Sequence, residues 1–133
     1  MRFLQQFPFI SGRMAMTVLR IGVALIFFLH ALFRIINGTI PQFGGFLEAK
    51  GIPLGVTLVW LITLFEFVGS VALAIGRGVR VWAAGFMLIL LTGIVLIHWG
   101  LGWFVGEHGT GGCEYSVVLM LALLLLAADD RDL

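Results

Sequence analysis

Residues 54–75 read LGVTLVWLITLFEFVGSVALAI, a run of 22 positions that carries one charged side chain, Glu66. At about 1.5 Å per residue a helix of this length covers roughly 33 Å, enough to cross a hydrocarbon core of about 30 Å. A helix that is apolar nearly all round is a buried or membrane-spanning helix, because one that faced water would show a polar stripe. Working outward, three more apolar windows stand out, at 14–36, 79–99 and 115–128. The last is short: its ~14 residues cover only about 21 Å, so its helix is expected to begin upstream, near Gly111 or Gly112, giving a span of 111–128 that contains Glu114.

The composition agrees. Of 133 residues 61% are hydrophobic and only 11% charged, where a soluble domain carries about 25% charged residues. About 81 apolar positions supply four spans at roughly 20 each. The expected fold is all-α: a polytopic membrane protein built as an antiparallel four-transmembrane-helix bundle over 1–133, its partner the lipid bilayer. A net charge of +1, with the Lys and Arg scattered, leaves no basic stripe for nucleic acid. The single cysteine, Cys113, excludes an internal disulfide or a CxxC pair. Beside the carboxylate of Glu114 it reads as a small loop residue more readily than as a reactive thiol.

Connections and charges set the expected topology. Gly76-Arg77-Gly78 is a tight turn, which makes the second and third helices antiparallel neighbours. The longer stretch from Asn37 to Pro53 has Pro41 to start and Gly51 to end a short amphipathic segment, about 41–51, lying at the membrane surface. Trp99, Trp103 and Phe104 read as an interfacial aromatic belt. Arg2, Arg13, Arg77, Arg80 and Arg131 fall on one side of the membrane, Arg34 and Lys50 on the other, so both termini are expected in the cytoplasm. Arg20, His30 and Arg34 interrupt or border the first apolar stretch and no small-residue cleavage site follows, which argues against a secretory signal peptide. Small residues at Gly69, Ala72, Gly76 and Gly85 suit close helix contacts.

Ionisable side chains inside a membrane are costly, so each needs a partner or a purpose. Measured from level inner helix ends, Arg20 and Glu66 lie about one turn apart in depth, which reads either as a structural ion pair joining two helices or as a functional carboxylate held by an arginine. His30 and Arg34, four residues apart, stack on one helix face. His98 ends the third helix and Glu114 opens the fourth. His30, Arg34, His98 and Glu114 are therefore expected to converge in the outer half of the membrane, with Glu66 beneath them. Two imidazoles, two carboxylates and an arginine beside aromatic walls from Phe27, Phe28, Phe33, Trp60 and Trp103 suit a quinone head group, whose carbonyls need donors and whose reduction takes up protons. Haem held by His30 and His98 lacks a second histidine pair or an attachment motif. Zinc on His30, His98 and Glu114 would draw ligands from three helices. Neither haem nor metal is expected.

Arg20 through His30 to Arg34, Gly51-Ile52-Pro53, Glu66-Phe67-Val68-Gly69 with Gly76, His98 with Gly102, and Glu114-Tyr115 together resemble the DoxX family of small bacterial membrane proteins. The resemblance runs from about Arg20 to Ala128, with Ala31 where glycine is expected after the histidine and Arg34 where lysine is expected. It implies a four-helix bundle in the bacterial inner membrane, related to the DoxD subunit of thiosulfate:quinone oxidoreductase and linked to a respiratory or thiol-oxidation pathway.

Three readings follow. The first is a quinone-dependent oxidoreductase subunit, with His30, Glu66, His98 and Glu114 as catalytic, proton-handling groups and His30, Arg34, His98 and Glu114 around the quinone. The second is a non-catalytic anchor or assembly partner for a soluble oxidoreductase, with the polar residues as helix glue. The third is a small proton-coupled transporter, against which the first helix counts by carrying no acid. A homodimer is compatible with all three.

Overall fold

The computed structural model describes residues 2–98 and 113–130, with the backbone alone for residues 97 and 98. All regular structure in the described residues is helical. A one-turn helix α1 (Arg2–Gln5) precedes α2 (Gly12–Ile36), α3 (Ile40–Ala49), α4 (Gly55–Ile75), α5 (Val79–Gly93) and α6 (Glu114–Asp129). A π-helical turn, Ile94–His98, prolongs α5. Three stretches, Gly12–Ile36, Gly55–Ile75 and Val79–Leu96, are long and apolar enough to cross a membrane.

Local chemistry sets the helix ends. The Ser11 hydroxyl accepts from the Met14 amide at 3.1 Å and caps α2. Gly76, in the left-handed region at φ 83°, ends α4 with its own amide and that of Arg77 on the last carbonyls, the arrangement glycine adopts without a Cβ penalty. The Glu48 carboxylate, reaching from α3, accepts from the Gly55 amide at 3.2 Å and covers the start of α4. Arg80 donates to the carbonyls of Ala127 at 3.1 Å and Asp130 at 2.6 Å, so a cation from α5 satisfies the end of α6.

The fourth helix departs from expectation. It opens at Glu114, with Cys113 outside it as a buried N-cap, instead of starting near Gly111. The Glu114 carboxylate in the first turn favours the helix dipole. The described helix is therefore 16 residues long. The short helix after α2 runs Ile40–Ala49, where a segment at 41–51 is expected, and it packs along α4.

Around the bundle, α2 packs on α4, α4 on α5, α5 on α6 and α6 back on α2. Residues of α4 facing inward are Gly55, Val59, Thr63, Glu66, Gly69, Ser70 and Leu73, a series spaced by three or four apart from the adjacent Gly69 and Ser70, which marks one face of a helix. Three of the seven are polar, while Leu61, Leu64, Val68 and Val71 on the outside are more than half exposed. That inversion, with polar groups in and large apolar groups out, fits lipid as the surrounding solvent. The centre is aromatic: Phe27 of α2 stacks on Phe86 of α5 at 4.1 Å, and Phe65 of α4 meets Phe86 edge-on at 5.4 Å and Trp82 at 4.8 Å. Gly69 admits Trp82 and Phe86, and Gly85 admits Phe65.

Candidate functional site

Arg34, near the end of α2, points across to α4. Its Nη1 donates to Thr63 Oγ1 at 2.9 Å and lies 3.4 Å from Glu66 Oε1, with Nη2 at 3.5 Å from the same oxygen. Thr63 in turn donates to the carbonyl of Val59 at 2.8 Å, so its hydroxyl is fixed as the acceptor for Arg34. The ring of Phe43, from α3, lies 5.8 Å below the guanidinium. The Arg34 side chain is 17% exposed and that of Glu66 4%. Among the described residues, Glu66 Oε2 is buried without a hydrogen-bond partner.

This pairing corrects the expected Arg20–Glu66 ion pair. The expectation set the ends of the first two spans level. In the structure the Arg20 guanidinium lies against Gly76, so α2 projects beyond the end of α4 by about two turns. Counting from that level at about 1.5 Å per residue, Arg34 stands roughly 21 Å along and Thr63 roughly 20 Å, whereas Glu66 is one turn nearer Gly76. Arg34 thus meets Thr63 directly and reaches Glu66 with the length of its side chain.

A cavity of about 540 Å³ opens beside this group. His30, Arg34 and Glu66 line one wall, and Thr92, Tyr115 and Ser116 add polar groups from α5 and α6. The remainder is apolar, with Phe27, Leu47, Leu90 and Leu119 among its walls. Gly93 and Leu96, where α5 passes into the π turn, also line it. His30 and Arg34 also line a shallower groove of about 460 Å³ with Ile26, Leu29 and Phe33, so they separate the inner cavity from the outer surface of α2.

The model of the DoxX family matches residues 15–99, well over half of the sequence. The chain belongs to the DoxX family. No curated protein and no solved structure matches it. The DoxX match contains Arg20, His30, Arg34 and Glu66 and stops before Cys113 and Glu114. DoxX membership and the three spanning helices make this a multi-pass membrane protein.

Of the residues singled out from the DoxX sequence, the structure gathers His30, Arg34 and Glu66 on one cavity. Glu114 is half-buried in the first turn of α6, next to Tyr115 and Ser116, which line the cavity. The side chain of His98, like Trp99, Trp103 and Phe104, lies outside the described residues. Phe27 is in the wall, Phe28 packs edge-on against Phe67, and Phe33 and Trp60 face outward. Thr63 is the member that sequence reasoning missed. Its signal was present: it precedes Glu66 by three residues and so shares its helix face.

Proposed function

We propose that this DoxX protein binds a quinone head group in the cavity beside Arg34 and Glu66 and acts as a quinone-interacting subunit of a respiratory or thiol-oxidising pathway in the bacterial inner membrane. Both termini lie in the cytoplasm in this reading, α6 is the fourth span, and a soluble or membrane oxidoreductase supplies the electrons. The observation that carries it is one juxtaposition: a largely apolar cavity of about 540 Å³ bordered by a buried carboxylate whose Oε2 has no partner among the described residues.

A bound quinone takes up two electrons and two protons on reduction. The guanidinium of Arg34 and the imidazole of His30 are the donors available to its carbonyl oxygens on the shared wall. Glu66, held on Oε1 by Arg34, keeps Oε2 for a proton. In this reading His98, in the π turn, and Glu114, in the first turn of α6, are the further proton-handling candidates. Phe27, Leu47, Leu90 and Leu119 suit an aromatic ring and an isoprenoid tail, neither of which asks for hydrogen bonds.

The test is quinone content. Protein purified in mild detergent is extracted and its quinone quantified, then titrated with decylubiquinone by tryptophan fluorescence, for the wild type and for Arg34→Gln and Glu66→Gln. Near-stoichiometric quinone in the wild type, with weakened titration in Arg34→Gln, supports the proposal. Absence of both co-purified quinone and saturable binding in the wild type rejects it and leaves the anchor reading.

A further inference from the structure

A second cavity, of about 420 Å³, lies at the opposite end of the bundle, where α2 begins and α6 ends. Its charged lining is Arg13 and Arg20 from α2 and Asp129 and Asp130 from the end of α6. Met16, Val79 and Leu126 supply an apolar floor. Arg13 and Arg20 are seven residues apart, two turns on one helix face. Arg80 holds the Asp130 carbonyl and thereby fixes the end of α6 at the cavity wall.

Among the described residues, no ion pair joins these arginines to these aspartates. Arg20 Nε and Asp130 Oδ2 are both buried and both lack a hydrogen-bond partner among the described residues. The ion pair found among those residues is Arg34–Glu66, at the other end of the molecule. Leaving a buried charged donor and a buried charged acceptor unsatisfied is costly, and here two of opposite sign border one space with room for far more than a single water. A ligand that satisfies both is dipolar, with an anion toward the arginines and a hydrogen-bond-donating cation toward the aspartates. Leu125, one turn before Asp129 on α6, is half-exposed, so an apolar tail can leave the cavity along the helix surface.

We infer that this cavity binds the head group of a zwitterionic phospholipid with a primary ammonium, its phosphate on Arg20 and Arg13 and its ammonium on Asp130 and Asp129. The site is separate from the quinone cavity and stands whether or not that reading holds. Phosphatidylethanolamine satisfies both halves. Phosphatidylcholine has the same charges, but its trimethylammonium cannot donate a hydrogen bond to a carboxylate. Phosphatidylglycerol offers the phosphate and no cation, leaving the aspartates unmatched.

Native mass spectrometry of the full chain, released from micelles supplemented with each lipid in turn, tests this. Phosphatidylethanolamine is expected to be retained roughly tenfold better than phosphatidylcholine, the ratio of one charge-assisted hydrogen bond. Asp130→Asn should bring that preference close to unity, and Arg20→Gln should reduce retention of all three lipids. Asp129→Asn, at an exposed position, should narrow the preference without touching the fold, and so covers the case in which Asp130→Asn does not fold. Equal retention of phosphatidylethanolamine and phosphatidylcholine, stronger retention of phosphatidylglycerol, no adduct above the micelle background, or a preference unmoved in both aspartate variants would each overturn the inference.

Discussion

Arg34 and Glu66, 32 residues apart in sequence, meet at 3.4 Å between α2 and α4, with the Thr63 hydroxyl closing the triangle at 2.9 Å from the same guanidinium nitrogen. Among the described residues, one carboxylate oxygen is engaged and the other has no partner. The arrangement therefore does two jobs: it ties two helices together, and it leaves a polar atom for whatever enters the cavity.

The tie predicts an asymmetric response to mutation. Arg34→Gln leaves the Glu66 carboxylate buried and unpaired, which costs about 3 kcal/mol by analogy with other broken buried pairs. Adding Glu66→Gln to that variant removes the buried charge and should recover most of the loss. Thermal unfolding in a single detergent, followed by circular dichroism, orders the three proteins as wild type, double variant, then Arg34→Gln. A double variant no more stable than Arg34→Gln alone contradicts the pairing.

Thr63→Val keeps the shape and removes both hydrogen bonds of the hydroxyl. Because Arg34 still has Glu66, the expected loss is about 1 kcal/mol, with Thr63→Ser close to wild type. The same unfolding measurement reads both, and equal effects of Val and Ser would assign the position to packing instead.

Neighbouring glycines on α3 should behave oppositely. A Cβ on Gly44 would stand 2.6 Å from the Val56 amide nitrogen, whereas one on Gly45 meets nothing within 4 Å. Gly44→Ala should lift α3 off α4 at a cost of about 1 to 3 kcal/mol, the range for overpacking. Gly45→Ala should be neutral or stabilising by up to about 1 kcal/mol, since alanine is the better helix former. Hydrogen exchange over residues 40–59 distinguishes local undocking from a global effect.

Much of the scaffold was legible because lipid asks little of a sequence beyond length and apolarity. The window at 54–75 anticipates α4 at Gly55–Ile75, and Gly76-Arg77-Gly78 marks the turn into α5. The partner of Glu66 was not legible. Charge and depth named an arginine on α2, but depth was counted from level helix ends, and the projection of α2 beyond Gly76 is a packing property that no window of hydropathy contains. That His30 and Arg34 line one cavity follows from their four-residue spacing, which sets them on one helix face. Span length alone put the start of α6 near Gly111 or Gly112, whereas the described helix opens at Glu114 with Cys113 as its N-cap, a local boundary that an apolar window does not mark.

Arg80 gives a prediction about the end of α6. It is the side chain that satisfies the carbonyls of Ala127 and Asp130, 47 and 50 residues away. Arg80→Gln should fray the last turn, with faster amide exchange confined to about residues 126–130, while Arg80→Lys should retain part of the protection through its charge at the helix C-terminus. Uniform acceleration across the bundle would instead make Arg80 a determinant of global stability.

Volume and polarity at the cavity proposed to bind quinone can be separated at Gly93. This residue lines the cavity at the end of α5, before the π turn, and it carries none of the polar groups assigned to the head group. Gly93→Leu adds an apolar side chain at a position that lines the cavity and replaces a poor helix former with a good one. If the cavity takes a quinone ring, that substitution should weaken decylubiquinone binding by tenfold or more, about 1.4 kcal/mol, with thermal stability equal to or above that of the wild type. Arg34→Gln, in contrast, should lower both. Binding that survives Gly93→Leu with unchanged affinity would move the ligand out of this cavity, whatever the polar variants do.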